Sequence, residues 1–124
     1  MRVLLVEDSR AMRDFVSSIL EAHGEYEVDE VDNGFEALRV LPRAEYGLIV
    51  SDINLPDVSG IELTAFVRKS RKNAETPVLV ISSDASAVDA ERAMNAGASA
   101  FLPKPFTADQ LMAAIAGIDT GDSV

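Results

Sequence analysis

The chain has 124 residues, the size of one domain, and 48% hydrophobic residues can fill one core but leave no room for a second, effector-type domain. Lys+Arg 11 against Asp+Glu 21 leave a net charge of −10, which argues against nucleic acid, where phosphate neutralisation dominates affinity, and favours basic or cationic partners. Cysteine is absent, which excludes disulfides and thiolate metal sites and fits a reducing compartment. The apolar run after Met1 is too short for a signal peptide, and none approaches the roughly 20 apolar residues of a bilayer span. A cytoplasmic protein without membrane contact is expected.

Val3-Leu4-Leu5-Val6 reads as a first strand, apolar without alternation, as for a strand covered on both faces. Glu7 and Asp8 follow, and Asp8 or Ser9 can cap a helix whose stripe is Met12, Phe15, Val16, Ile19 and Leu20. His23-Gly24 ends it. Tyr26 to Val31 is a weaker strand whose acids suit a sheet edge. Asn33-Gly34 reads as a turn, and Ala37, Leu38 and Leu41 as a short helix stopped by Pro42.

Leu48-Ile49-Val50-Ser51-Asp52 is a buried strand tipped by an acid, and the stretch to Gly60 leaves it as a loop. Ser59-Gly60-Ile61-Glu62 is a capping box, opening a helix with Leu63, Phe66 and Val67 on one face. Val78 to Ile81 is a fourth apolar strand, closed by Ser82-Ser83-Asp84, and Ser86 opens a helix with a second capping box that ends at Ala96-Gly97. Ala100-Phe101-Leu102 is a fifth strand, followed by Pro103-Lys104-Pro105-Phe106. A third box at Thr107 starts the last helix, carried by Leu111, Ile115 and Ile118. The domain therefore spans residues 1–118, with a short polar tail over 119–124.

Five apolar strands alternating with five helices imply an α/β, doubly wound parallel sheet with helices on two faces, in the flavodoxin-like order 2-1-3-4-5. Ligands in such sheets bind beyond the carboxyl ends of the strands, at the point where the order reverses. Glu7 and Asp8 come to that rim from strand one, Asp52 from strand three, Ser82 and Ser83 from strand four and Lys104 from strand five. Each has an ordinary reading alone: helix cap, loop acid, turn serine, surface lysine. Their concentration on successive strand ends points instead to one site.

Three packed carboxylates repel one another, and a hard divalent cation resolves this. Together with Lys104 it neutralises the pocket, which can then accept a phosphoryl group while an aspartate attacks in line.

The combination Val6-Glu7-Asp8, Asp52-Ile53-Asn54-Leu55-Pro56 with Gly60, Ser82 and Lys104-Pro105-Phe106 resembles the receiver domain of two-component response regulators, in its chemotaxis-type single-domain form. The resemblance runs from Val3 to about Ile118. It implies that Asp52 is the phosphoacceptor and that Glu7, Asp8 and Asp52 hold Mg²⁺ (or Mn²⁺), Asp8 directly, with the backbone carbonyl of Asn54. It implies further that the Ser82 hydroxyl turns to the phosphoryl group, that Lys104 is the site lysine ahead of a cis bond to Pro105, and that Phe101 is the aromatic switch. Ser82 replaces a commoner threonine, and Phe101 lacks a hydroxyl.

On this resemblance the protein is a phosphoacceptor and not an enzyme with separate turnover. It takes phosphoryl from a sensor histidine kinase or phosphotransfer protein and signals to an output protein, in chemotaxis or motility control. It is expected to be a monomer whose readout face can pair with its own copy once phosphorylated. The alternatives are a phosphate sink or phosphorelay shuttle, a pseudo-receiver that only binds partners, and a Mg²⁺-dependent phosphatase, for which Asn54 stands where a general acid is needed.

Overall fold

A computed structural model describes residues 1–83 and 87–122. Its elements are β1 (Arg2–Val6), α1 (Arg10–Ala22), β2 (Glu27–Val31), α2 (Gly34–Val40), β3 (Leu48–Asp52), α3 (Gly60–Lys69), β4 (Val78–Ser82), α4 (Ala87–Ala96), β5 (Ala100–Pro103) and α5 (Ala108–Asp122). The strands form one sheet in the order β2-β1-β3-β4-β5, and all four pairings are parallel. Both the expected order and the acidic edge position of β2 hold.

The strand side chains alternate between two cores, as a two-residue period requires. Val3, Leu5, Leu48, Val50, Leu79 and Ile81 pack with Val16, Ile19 and Leu20 of α1 and Leu111 and Ile115 of α5. On the other face Leu4, Val6, Ile49, Val78 and Val80 meet α2, α3 and α4 through Ala37, Leu63, Val67 and Ala93. β1, β3 and β4 are thus sandwiched, and their non-alternating apolar runs follow from that.

Two expected core aromatics are not core. Phe15 is 40% and Phe66 38% exposed. At about 100° per residue each falls on the margin of its helix's buried stripe, and Phe15 instead tilts against the Phe106 ring at 5.9 Å. Asn33-Gly34 is not a free turn: Asn33 caps α2, its side chain accepting from the Glu36 amide at 2.9 Å, and Gly34 is the first helical residue. Ser9, not Asp8, caps α1. Ser59 caps α3. The Thr107 box is reciprocal: the Gln110 amide donates to Thr107 Oγ1 at 3.1 Å and the Thr107 amide to Gln110 Oε1 at 2.8 Å. The box expected at Ser86 lies outside the described residues. The backbone of α5 stays helical to Asp122, past Ile118, because the intrahelical ladder continues beyond the last residue of the apolar stripe.

Asn73, invisible as a pattern in the sequence, ties the amino-terminal end of the sheet together. It is fully buried. Its Nδ2 donates to Leu41 O at 2.9 Å and Ala44 O at 2.8 Å, while its Oδ1 accepts from Tyr46 N at 2.8 Å and Thr76 Oγ1 at 3.1 Å. All four capacities of the amide are used. Among the described residues no helix is long and apolar enough to cross a membrane. Asn73→Ala is expected to lower the unfolding free energy by about 3 kcal/mol, since it strands buried backbone groups. A urea titration checks this, and a change below about 1 kcal/mol would mean those groups find other partners.

Candidate functional site

The strand ends converge through the sheet register. Val6 pairs with Ser51, Asp52 with Ile81 and Ser82 with Pro103. The ladder continues just past them: Glu7 N donates to Val31 O at 3.1 Å, Ile53 N to Ile81 O at 2.9 Å and Lys104 N to Ser82 O at 2.7 Å. The residues that carry functional side chains are therefore held by sheet-type bonds although they lie at its rim.

One carboxylate oxygen each from Glu7, Asp8 and Asp52 lies within 4.8 Å of the others. Glu7 is fully buried and Asp52 nearly so, whereas Asp8 is exposed. The Lys104 ammonium sits between strands one and three, 2.8 Å from Glu7 Oε1 and 3.4 Å from Asp52 Oδ2. The second Glu7 oxygen accepts from Ser9 N at 3.0 Å. Burial pushes the Glu7 carboxyl up, and the Asp52 charge adds to this, against the Lys104 hydrogen bond and the Ser9 amide, which pull it down.

Asp52 is held more loosely: Oδ1 accepts from Asn54 N and Oδ2 meets Lys104, both at 3.4 Å. The Lys104 ammonium thus pairs with two of the three clustered acids, Glu7 and Asp52. The cluster fits a hard divalent ion, because its donors are all carboxylate oxygens and its charge is only partly offset.

The model of the response regulator receiver domain matches residues 3–116. The chain belongs to that family. Chemotaxis protein CheY-3 of Vibrio cholerae is 33% identical to this receiver over 111 residues, 90% of this chain and 85% of that protein. The solved structure of chemotaxis response regulator CheY4 of Vibrio cholerae matches with a TM-score of 0.88 at 32% identity, covering 94% of this chain and 97% of that one. The receiver domain of sensor histidine kinase PA1611 from Pseudomonas aeruginosa, solved with a magnesium ion coordinated in its active site cleft, matches with a TM-score of 0.82 at 30% identity over 90% of each chain. The family is one of phosphorylation-dependent signalling.

Of the other residues expected of the receiver, Ser82 is fully buried at the end of β4, while its neighbour Ser83 is exposed. Asn54 is exposed on the loop after Asp52. Phe101 is half-buried, packed against the core beneath α3 and α4. The Lys104-Pro105 bond is cis. His23 stands apart: it caps the far end of α1, its Nδ1 against Ile19 O at 2.9 Å.

Two further residues shape the site through the backbone. Arg13 Nη1 donates to the carbonyls of Glu7 at 2.9 Å and Asp8 at 3.2 Å, fixing the loop that carries both acids. Nothing in the pattern separates it from a solvated helix cation such as Arg10, which pairs loosely with Asp14. Gly60 stands out in the sequence only as part of a motif. A Cβ there would meet Asp52 O and, at 2.8 Å, Ile53 Cα, because Gly60 N donates to Ile53 O at 2.8 Å and draws the start of α3 onto the strand end. A signal for this does exist: a glycine in a first helical turn costs entropy and needs a reason.

Gly60→Ala is expected to destabilise the receiver by about 2 kcal/mol through overpacking and to move the Asp52 and Ile53 amide resonances. Gly117→Ala, where a Cβ meets nothing within 4 Å, is expected to stabilise by about 0.5–1 kcal/mol through helix propensity. Denaturant titrations of the pair, with amide spectra, check both; equal effects would refute the close-approach argument.

Proposed function

We propose that this receiver accepts a phosphoryl group on Asp52 from a phosphohistidine of a sensor histidine kinase or phosphotransfer protein. It then passes a conformational signal to an output protein in the cytoplasm, in chemotaxis or motility control. The observation that carries the reading is the Lys104 ammonium lodged between a tightly held Glu7 and a loosely held Asp52, 2.8 Å and 3.4 Å away. A carboxylate without short hydrogen bonds keeps its lone pairs available for attack.

Glu7, Asp8, Asp52 and the backbone carbonyl of Asn54 are the groups that would hold Mg²⁺ or Mn²⁺. When bound, the ion supplies charge neutralisation at the phosphoryl oxygens. Asp52 Oδ forms a bond to phosphorus as the bond from phosphorus to the donor imidazole nitrogen breaks, and that nitrogen keeps the electron pair. Lys104 offsets the charge on the transferring oxygens. The product adds about one negative charge to the pocket, since the phosphoryl carries up to about −2 where the carboxylate carried −1.

The Ser82 hydroxyl donates to the new oxygens and draws the β4 end inward, and Phe101 moves into the space released. Replacement of threonine by Ser82 keeps that donor. Phe101 supports a packing switch and no hydroxyl-dependent one. The net charge of −10 supports a protein partner and not nucleic acid. The protein turns over no other substrate and works as a monomer that can pair when phosphorylated.

Incubation with Mg²⁺ and acetyl phosphate is expected to add one phosphoryl group by mass. Asp52→Asn or chelation of Mg²⁺ should abolish the gain, and Lys104→Ala should slow it about 100-fold or more, as for loss of an electrostatic stabiliser. No mass gain on the wild type, together with normal partner binding, would replace this reading with a pseudo-receiver. Release of more than one equivalent of phosphate from simple esters would replace it with a phosphatase.

A further inference from the structure

The loop from Ile53 to Ser59 is fixed firmly at its ends. Ile53 N bonds Ile81 O at 2.9 Å and Gly60 N bonds Ile53 O at 2.8 Å. Its middle is different. Asn54, Pro56 and Asp57 are exposed, and Leu55 rests on the core beneath α2, α3 and α4. A hydrophobic contact of this kind is non-directional. It places the loop but does not orient the peptide groups on either side.

Asn54 N makes one long bond, to Asp52 Oδ1 at 3.4 Å, and shorter directional bonds come from Asp57. Its Oδ1 accepts from Gly34 N at 2.8 Å and Val58 N at 2.8 Å, and its Oδ2 accepts from Phe35 N at 2.9 Å. Gly34 and Phe35 form the first turn of α2, whose amides have no intrahelical acceptor. The two segments are pressed together: a Cβ on Gly34 would lie 2.8 Å from Val58 Cβ and 3.1 Å from Asp57 Oδ1. Desolvation raises the Asp57 carboxyl, yet the Phe35, Gly34 and Val58 amides together bring it below the ordinary aspartate value. The ionised form is thus the one the contact selects.

We infer that Asp57 is a positioning residue for the phosphorylation site: by clamping the β3–α3 loop to the first turn of α2 it orients the Asn54 carbonyl toward the metal position. This rests on the reading of Asn54 as a metal donor under the proposed function. Between the clamp and Asn54 stand only Leu55 and Pro56, and the fixed φ of proline makes the link stiff. Asp57 touches neither metal nor phosphoryl. It acts through the loop, so its effect is on metal affinity. Linkage makes the effect reciprocal: an ion that needs the clamped loop must in turn strengthen the clamp.

The test uses the full chain and Mg²⁺ alone as the probe. Mg²⁺ affinity is measured by amide chemical shift for the wild type, Asp57→Ala and Asp57→Asn, with hydrogen exchange at the Gly34 and Phe35 amides and thermal melts as a check on folding. Asp57→Ala is expected to weaken Mg²⁺ binding about tenfold, in the range of residues that orient metal ligands, and Asp57→Asn, which keeps one acceptor oxygen, by less. In the wild type Mg²⁺ is expected to slow exchange at Phe35, and in Asp57→Ala to leave it unchanged. A purely structural cap would not produce that metal-dependent protection. Should Asp57→Ala fail to fold, Asp57→Asn and the wild-type exchange decide the question. An Asp57→Ala protein that loses Phe35 protection yet binds Mg²⁺ with wild-type affinity overturns the inference. A wild type that binds no Mg²⁺ overturns it too, through the metal-site reading on which it rests, and the two failures are distinct.

Discussion

Glu7 has no exposed surface, and a carboxylate in that position cannot stand without a partner. Its partner is Lys104, from the other side of the sheet, with β3 and β4 lying between their two strands. This one contact constrains much else. The loop after β5 must bend back over the strand ends, and the Lys104 amide does so while still bonded to Ser82 O at 2.7 Å. The β1–α1 loop must present its acids inward, and Arg13 holds their carbonyls to that course. Asp52 then finds a cation already in place, but one committed more closely to its neighbour.

The energetics separate scaffold from site. Below the rim the scaffold is made of two apolar cores, an amide hub at Asn73 with four bonds, and paired strands. At the rim Glu7 and Asp52 share one lysine, with the Asp8 carboxylate beside them. Buried ion pairs add little stability over well-packed apolar groups and can cost about 1–4 kcal/mol against them. The cluster is therefore a poor device for holding the fold together. Its physical yield is a set of oxygens whose charge is incompletely offset, held in place by a scaffold that does not depend on them. Such a site is suited to an added cation, while the two cores beneath it resist displacement of the central strands.

How much of the molecule is legible in its sequence depends on the range of the interactions involved. Strand runs, caps at Ser59 and Thr107, and the strand-end placement of Glu7, Asp8, Asp52, Ser82 and Lys104 are legible, because periodicity and strand-end position are local properties of the chain. Sheet order comes from the handedness of crossovers. Phe15 and Phe66 mislead because an apolar residue at the margin of a helical stripe looks the same in sequence whether a neighbour covers it or not. Asn33-Gly34 misleads because the dipeptide serves both turns and helix starts, and only the residues after it decide between them. Asp57 and Asn73 stay hidden because each satisfies backbone groups distant in sequence, and Arg13 because the nearby carbonyls it holds, like all backbone groups, leave no signature in residue identity.

In the proposed function, the route from the site to a partner would follow the same sheet register. Ser82 and Phe101 lie on neighbouring strands, with Val80 paired to Phe101 and Ser82 to Pro103. The bond from Lys104 N to Ser82 O closes that ladder at the rim. In the proposed reaction the pull on Ser82 and the charge on Lys104 therefore act on one hydrogen-bonded unit and not on two separate loops. β5 is an edge strand of the sheet, and its side chains are half-buried or, at Pro103, exposed where those of β4 are buried. Displacing β4 would disturb both cores, whereas displacing β5 disturbs one neighbour and partly exposed side chains. Elements with few buried contacts open and shift at the lowest free energy. On the proposed reading a small movement at the phosphoryl position would be expressed at the Phe101 edge, where α4 and α5 flank it, because that is the direction in which the structure resists least.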